Sequence, residues 1–118
     1  METIKGYFEK AGVKVTTTVQ EWGTFMRGVK TGQFDVIVGR WMGFTGPGML
    51  NYVFHSKSLP PKGANRGHYI NKEFDSLLDL ATTELNEEKR NFYYKKALKL
   101  ANNDYSYINL WHPNVIWV

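Results

Sequence analysis

His55, His68 and His112 are the side chains of this 118-residue chain best suited to acid–base or metal chemistry, and none stands in a pattern that would use it. Their spacing is wide and irregular, and no acidic residue sits at ligand spacing beside any of them, so no metal motif emerges. Nucleophilic catalysis fares no better. The chain has no cysteine and no Gly-x-Ser-x-Gly, and Ser56, Ser58, Ser76 and Ser106 lack a context that would activate a hydroxyl. Asp75, Asp79, Glu84, Glu87 and Glu88 fall on predicted helices in capping and solvated positions. Gly39, Gly43, Gly46 and Gly48 are followed by no Lys-Ser or Lys-Thr and lack the G-x-G-x-x-G spacing, which removes a phosphate loop. With no catalytic set, no metal and no cofactor motif, the chain reads as a non-enzyme.

What remains is a set of rings and planar polar groups that suits a small organic ligand. Val36, Ile37 and Val38 are consecutive and β-branched, the pattern of a strand covered on both faces. Arg40, Trp41 and Phe44 follow at its carboxyl end, where α/β folds place their ligands. Asn65 and Arg66 lie in a long loop, and Tyr69 stands just before a helix. These six residues form the candidate binding surface: Trp41 and Phe44 to pack on a ligand, Arg40, Asn65 and Arg66 to orient it. The competing structural role for Trp41 and Phe44 is to plug the edge of the core.

The elements that would position them follow from periodicity. Ile4, Tyr7, Phe8 and Ala11 predict a first helix ended by Gly12, and Trp22, Phe25, Met26 and Val29 a second ended by Gly32. Gly23 and Gly28 weaken that second helix by about 1 kcal/mol each against alanine. Val13–Gln20 alternates Val and Thr and predicts a strand. The repeated order of helix, glycine and strand predicts parallel strands joined by a right-handed crossover. Met49–His55 predicts a short helix, and Ser56–His68 a long loop, more often functional or mobile than idle. Asn71 and Asn86 predict the N-caps of two further helices. Phe74, Leu77, Leu78, Ala81 and Leu85 make the apolar stripe of one; Tyr93, Tyr94, Ala97, Leu98 and Ala101 make that of the other. Glu87 and Glu88 at the start, with Lys95, Lys96 and Lys99 towards the end, suit the helix dipole. Tyr105–Leu110 and Asn114–Val118 predict extended segments. The expected fold class is therefore α/β, a mixed sheet flanked by helices in one domain that buries roughly two thirds of its unfolded surface.

Composition narrows the function classes. The content is 42% hydrophobic and 15% aromatic, which argues for a folded unit rather than a disordered one. The formal charge of +4 raises the alternative of a stand-alone basic nucleic-acid-binding domain. Against it, the Lys and Arg residues are spread along predicted helix faces beside Glu, which reads as a solvated surface and no nucleic-acid partner. A small hydrolase using His68 or His112 would need a partner acid or nucleophile that the sequence does not reveal. No apolar run approaches the ~20 residues of a membrane span. Both ends look cut, the last inside an apolar run, so a fragment of a longer protein is expected.

Taken in order, KAGVKV, QEWGTFM, GQFDVIVGRW, the Gly-Pro loop, FHS, NRGHYINKEFDSLLDLA, NEEKRNFYYKKALKLANND and YSYINLWHP resemble the family 5 extracytoplasmic solute-binding proteins. These are the oligopeptide- and dipeptide-binding components of ABC importers. The resemblance implies two α/β lobes closing on a ligand, with residues 1–118 as the later, C-terminal part of the second lobe. It implies a small-molecule or peptide ligand, ABC transporter permease subunits as partners, no cofactor, and a periplasmic or membrane-anchored extracytoplasmic location whose signal lies elsewhere. The family's acidic partner for a peptide's α-amine falls, counted from Trp41, on Phe44, and the usual Asp before the loop proline is replaced by Gly46. Phe44 cannot pair with a buried ammonium, so a sugar, an anion or a capped peptide suits better than a free N-terminus. Arg40 and Arg66 favour a carboxylate or phosphate on the ligand. An isolated lobe fragment would also expose apolar surface and self-associate.

Overall fold

A computed structural model describes residues 2–41 and 46–110. Among them lie five α-helices: α1 (Glu2–Lys10), α2 (Trp22–Thr31), α3 (Gly48–Phe54), α4 (Lys72–Thr83) and α5 (Glu87–Asn103), with a 3₁₀ turn at Ser56–Ser58. Every helix predicted from the spacing of apolar residues is present. Gly12 and Gly32 end the first two in the left-handed region, at φ of 83° and 71°, where a side chain would be strained.

The predicted α/β fold with its mixed sheet does not form: no strand is present among the described residues. The β-branched runs carry no regular structure and are mostly exposed. Val19 is 95% exposed and Val36 65% exposed. A strand is stable only when a neighbour takes its backbone N–H and C=O groups, and among the described residues no strand pairs with Val13–Gln20 or Val36–Val38 to do so. The crossover unit and its right-handed connection lapse with the sheet. Tyr105–Leu110 forms no strand either, and Ile108 is largely exposed. The Asn114–Val118 segment lies outside the described residues.

The core sits where α3, α4 and α5 meet. Phe74, Leu77 and Leu78 from α4 pack with Leu50 from α3 and with Ala97 and Ala101 from α5; Phe54, Tyr69, Tyr93, Tyr94 and Leu100 close over them. Leu85, assigned to the α4 stripe, is almost fully exposed because α4 ends at Thr83 and the chain turns before reaching it. By contrast α1 buries no residue and α2 buries only Val29. The accessible surface of 9597 Å² consequently exceeds the roughly 6,600 Å² of a folded monomer of this mass. One half of the chain carries the packing, and the expected two-thirds burial is not reached.

Caps define the helix ends. Asn71 Oδ1 accepts from the amides of Glu73 and Phe74 at 3.0 and 3.1 Å, and Asn86 Oδ1 from that of Lys89 at 3.0 Å. Glu21 caps α2 through the amides of Gly23 and Thr24, which hold its carboxyl below the usual range. Because α5 runs on to Asn103, Lys95, Lys96 and Lys99 lie before its last turn, which contains no basic residue. The helix instead closes on Asp104, an unfavourable charge at a C-terminus. Tyr69 Oη and Asn71 Nδ2 donate to that carboxylate, at 2.5 and 2.9 Å, and hold its pKa down. Asn71 thereby caps α4 and ties it to the end of α5.

The Ser56–His68 loop is built on hydrogen bonds and one close approach. A Cβ at Gly63 would lie 2.5 Å from the Ser58 carbonyl oxygen and 2.6 Å from its Cα, both rigid backbone atoms. That same carbonyl accepts from the Asn65 amide at 2.8 Å. Gly63→Ala should therefore destabilise the chain by about 1–3 kcal/mol. Amide exchange at Asn65 checks it, and protection unchanged from wild type would show that the loop accommodates the methyl group.

Candidate functional site

Two of the six candidate residues meet face to face. The Arg66 guanidinium lies 4.4 Å over the centroid of the Trp41 ring, a cation–π contact between the long loop and the segment after the valine run. Trp41 also stands edge-on to Tyr52 of α3 at 6.4 Å. Beside it opens a mainly apolar cavity of about 180 Å³, floored by Leu50, Val53 and Phe54 of α3 and walled by Leu98 and Ala101 of α5 and by Tyr107. Leu98, placed in the sequence on the buried stripe of α5, instead lines this cavity. Asn102 and Asn109 supply its polar rim.

Asn65 and Tyr69 are also joined, but toward the interior. Asn65 is fully buried; its Nδ2 donates to the carbonyls of Phe54, His55 and Tyr69 at 3.0, 3.2 and 2.7 Å, and its Oδ1 accepts from the Tyr69 amide at 2.9 Å. Its amide is committed to holding the loop against α3. The Tyr69 ring packs edge-on to Phe74 and Phe54, and its hydroxyl is engaged with Asp104. Burial, with the Asp104 carboxylate beside it, raises the Tyr69 pKa. Arg40 is exposed and forms no ion pair among the described residues. Phe44 lies outside the described residues, as does His112.

A cluster not anticipated as a unit lies between the 3₁₀ turn and α4. His55 is buried; its Nδ1 accepts from the Lys57 amide at 3.1 Å, and its Nε2 faces Asp79 Oδ1 at 3.3 Å. Asp75 accepts from both the amide and the hydroxyl of Ser56, and its Oδ1 lies 3.3 Å from His55 Nδ1. Lys57 Nζ reaches Asp79 at 2.9 Å and, with the histidine, keeps that carboxyl below its usual range. The Ser56 proton goes to the Asp75 carboxylate and the imidazole is occupied by the Lys57 amide and Asp79, so the cluster clamps turn to helix and is not a nucleophile–base pair. Asp75 and Asp79 are one helical turn apart; that i, i+4 spacing, opposite FHS, was the available signal. Among the described residues no group of His, Asp or Glu could hold a metal ion.

Lys5, Lys57 and Lys96 lie within 4.0 Å of Glu9, Asp79 and Glu73, the arrangement of a solvated face. No helix among the described residues is long and apolar enough to cross a membrane.

The chain is 32% identical over 90 residues to the periplasmic murein peptide-binding protein MppA of Escherichia coli, covering 75% of this chain and 16% of that one. It is 28% identical over 113 residues to heme-binding protein A of Haemophilus influenzae, covering 94% and 20%. It is 27% identical over 104 residues to di/tripeptide-binding protein 2 of Pseudomonas aeruginosa, covering 86% and 19%. The chain is a relative of the family 5 solute-binding proteins. It spans about a fifth of the length of the curated relatives of this family that it matches. No family model and no solved structure matches it.

Proposed function

We propose that this chain supplies part of the ligand-facing wall of an extracytoplasmic solute-binding protein of the peptide type, the substrate-capture component of an ABC importer. It is a binding module with no chemistry of its own. In this reading residues 1–118 are the later part of the second of two lobes, and ligand binding shifts an open–closed equilibrium that the transporter's permease subunits sense. The observation that carries it is the Arg66–Trp41 pair at the mouth of an apolar cavity, in a chain whose named relatives are binding proteins. Rings that pack, planar donors that orient and a concave apolar floor are the parts of a small-molecule site. Trp41 and Phe44 would pack on the ligand, with Arg40 and Arg66 orienting it. Asn65 and Tyr69 act from beneath, by holding the loop that carries Arg66.

The test is an NMR titration of the isotope-labelled 118-residue chain with a short peptide, N-acetyl-Ala-Leu. Shifts of the Trp41 indole signal are expected, with a dissociation constant weaker than micromolar because one lobe fragment encloses little of a ligand. Trp41→Ala should weaken binding by roughly tenfold, the worth of one aromatic contact of about 1–1.5 kcal/mol. Phe44→Ala should act in the same direction. Unchanged affinity in both variants would remove these rings from the site.

A further inference from the structure

We infer that His55 is a proton-operated latch on the Ser56–His68 loop: with a neutral imidazole it holds the turn that opens the loop, and on gaining a proton it releases that turn in favour of Asp75. The order of the loop then follows pH, whatever the ligand. This goes beyond the solute-binding reading and does not depend on it.

One ring nitrogen has two neighbours of opposite kind. His55 Nδ1 lies 3.1 Å from the Lys57 amide nitrogen, which can only donate, and 3.3 Å from Asp75 Oδ1, which only accepts when ionised. It cannot serve both at once. An unprotonated Nδ1 takes the Lys57 proton and turns the same lone pair toward the carboxylate; the ring proton then sits on Nε2, 3.3 Å from Asp79 Oδ1. A protonated Nδ1 donates to Asp75 and meets the Lys57 amide donor to donor. Each protonation state satisfies one neighbour and opposes the other.

The site is enclosed and its charges are few. His55 is only 4% exposed, so water is poorly placed to stand in for a lost partner. The charged groups facing it are Asp75 and Asp79 of α4 and, from its own turn, Lys57, whose Nζ pairs with Asp79 at 2.9 Å. α3 carries no charged side chain, and the loop contributes the neutral amide of Asn65, which donates to the His55 carbonyl at 3.2 Å. The amide and hydroxyl of Ser56 both donate to Asp75, which fixes that carboxylate beside Nδ1.

The backbone carries the change into the loop. The His55 carbonyl accepts from the Ser58 amide at 2.9 Å, and the Ser58 carbonyl accepts from the Asn65 amide at 2.8 Å. The turn that Nδ1 caps is thus the seat of the segment bearing Arg66. Losing the Lys57 bond should raise the open population of the turn about tenfold, the worth of one net hydrogen bond.

The experiment is an NMR titration of the isotope-labelled 118-residue chain from about pH 8 to about pH 5, the range in which an imidazole changes charge. Amide exchange is read as protection factors, which remove the intrinsic effect of pH. As the His55 ring nitrogens report protonation, the Lys57 protection factor should fall roughly tenfold, and the Asn65 amide signal should move with the same midpoint. Asp75→Asn should shift the transition to lower pH, because the imidazolium loses a carboxylate. His55→Asn, whose amide oxygen accepts but takes no proton in this range, should abolish the Asn65 response. Circular dichroism of the wild type should stay constant throughout. A Lys57 amide that keeps its protection while the ring titrates would overturn the latch, as would a ring that holds one protonation state across the range. Either reading comes from the wild type, so it stands even where His55→Asn fails to fold. An Asn65 response surviving in a folded His55→Asn would overturn it too, and an unmoved transition in Asp75→Asn would remove Asp75 as the alternative partner. Loss of helix signal over the same range would mark global acid unfolding and overturn the latch.

Discussion

Asn65→Asp should destabilise this chain by about 3 kcal/mol or more at neutral pH. The wild-type Nδ2 faces three backbone carbonyls at 2.7–3.2 Å in a fully buried site. Replacing that donor by a carboxylate oxygen points acceptor at acceptor and deprives the carbonyls of Phe54 and Tyr69 of this partner, while that of His55 keeps the Ser58 amide; each buried orphan costs roughly 1–3 kcal/mol. The sign of the pH dependence follows. Burial without a cation raises the introduced carboxyl's folded-state pKa above its unfolded value near 3.9, so the unfolded state releases the proton first. The variant's deficit against wild type should grow as pH rises through and beyond that value, and shrink in acid, where a protonated carboxyl can donate one bond. Urea unfolding of both proteins at pH 4 and pH 7 reads this directly. A deficit independent of pH would mean the side chain has turned away from the carbonyls. The loop carrying Arg66 should loosen with the loss of this hub, so ligand affinity should fall as well.

Phe74→Ala should cost about 3–5 kcal/mol. Phe74 is fully buried, its ring centroid 5.3 Å from that of Tyr69 and 5.9 Å from that of Phe54, at the centre of the only large cluster among the described residues. Domains of this size hold about 5–15 kcal/mol in total, and packing here is confined to one half of the chain. The melting temperature should drop by roughly 12 °C or more, at roughly 4–8 °C per kcal/mol for a cooperative unit of this size. Val19→Ala and Leu85→Ala, at positions 95% and 94% exposed, serve as controls and should stay within about 0.5 kcal/mol. Thermal melts followed by circular dichroism distinguish them. A Phe74 variant as stable as these controls would show that the α3–α4–α5 cluster does not hold the fold.

The helices were legible because their signals are local. The apolar spacing of Phe74, Leu77 and Leu78, and Asn71 and Asn86 as caps, act within a few residues and need no distant partner. Leu85 misled because a stripe does not say where the helix stops. The strands were misread for the opposite reason: β-branched runs at Val13–Gln20 and Val36–Val38 report a preference, and a sheet also requires a neighbour that the described chain does not bring alongside them. Asn65 stood out in the sequence as a planar polar group suited to a ligand, yet the fold commits its amide to four backbone partners.

The relationship to solute-binding proteins was already written in the order of residues from KAGVKV to YSYINLWHP, and so were the helices and their caps, because each depends on types and spacing along the chain. Only the tertiary structure decided that Arg66 rests on Trp41, 25 positions earlier by residue number, that a cavity opens beside them, and that Ser56 and His55 meet Asp75 and Asp79. Those pairings depend on which surfaces the turns bring together. The free energy that selects them comes from burying Phe74 and its neighbours and from satisfying buried polar groups such as Asn65, neither of which is a property of any short stretch of sequence.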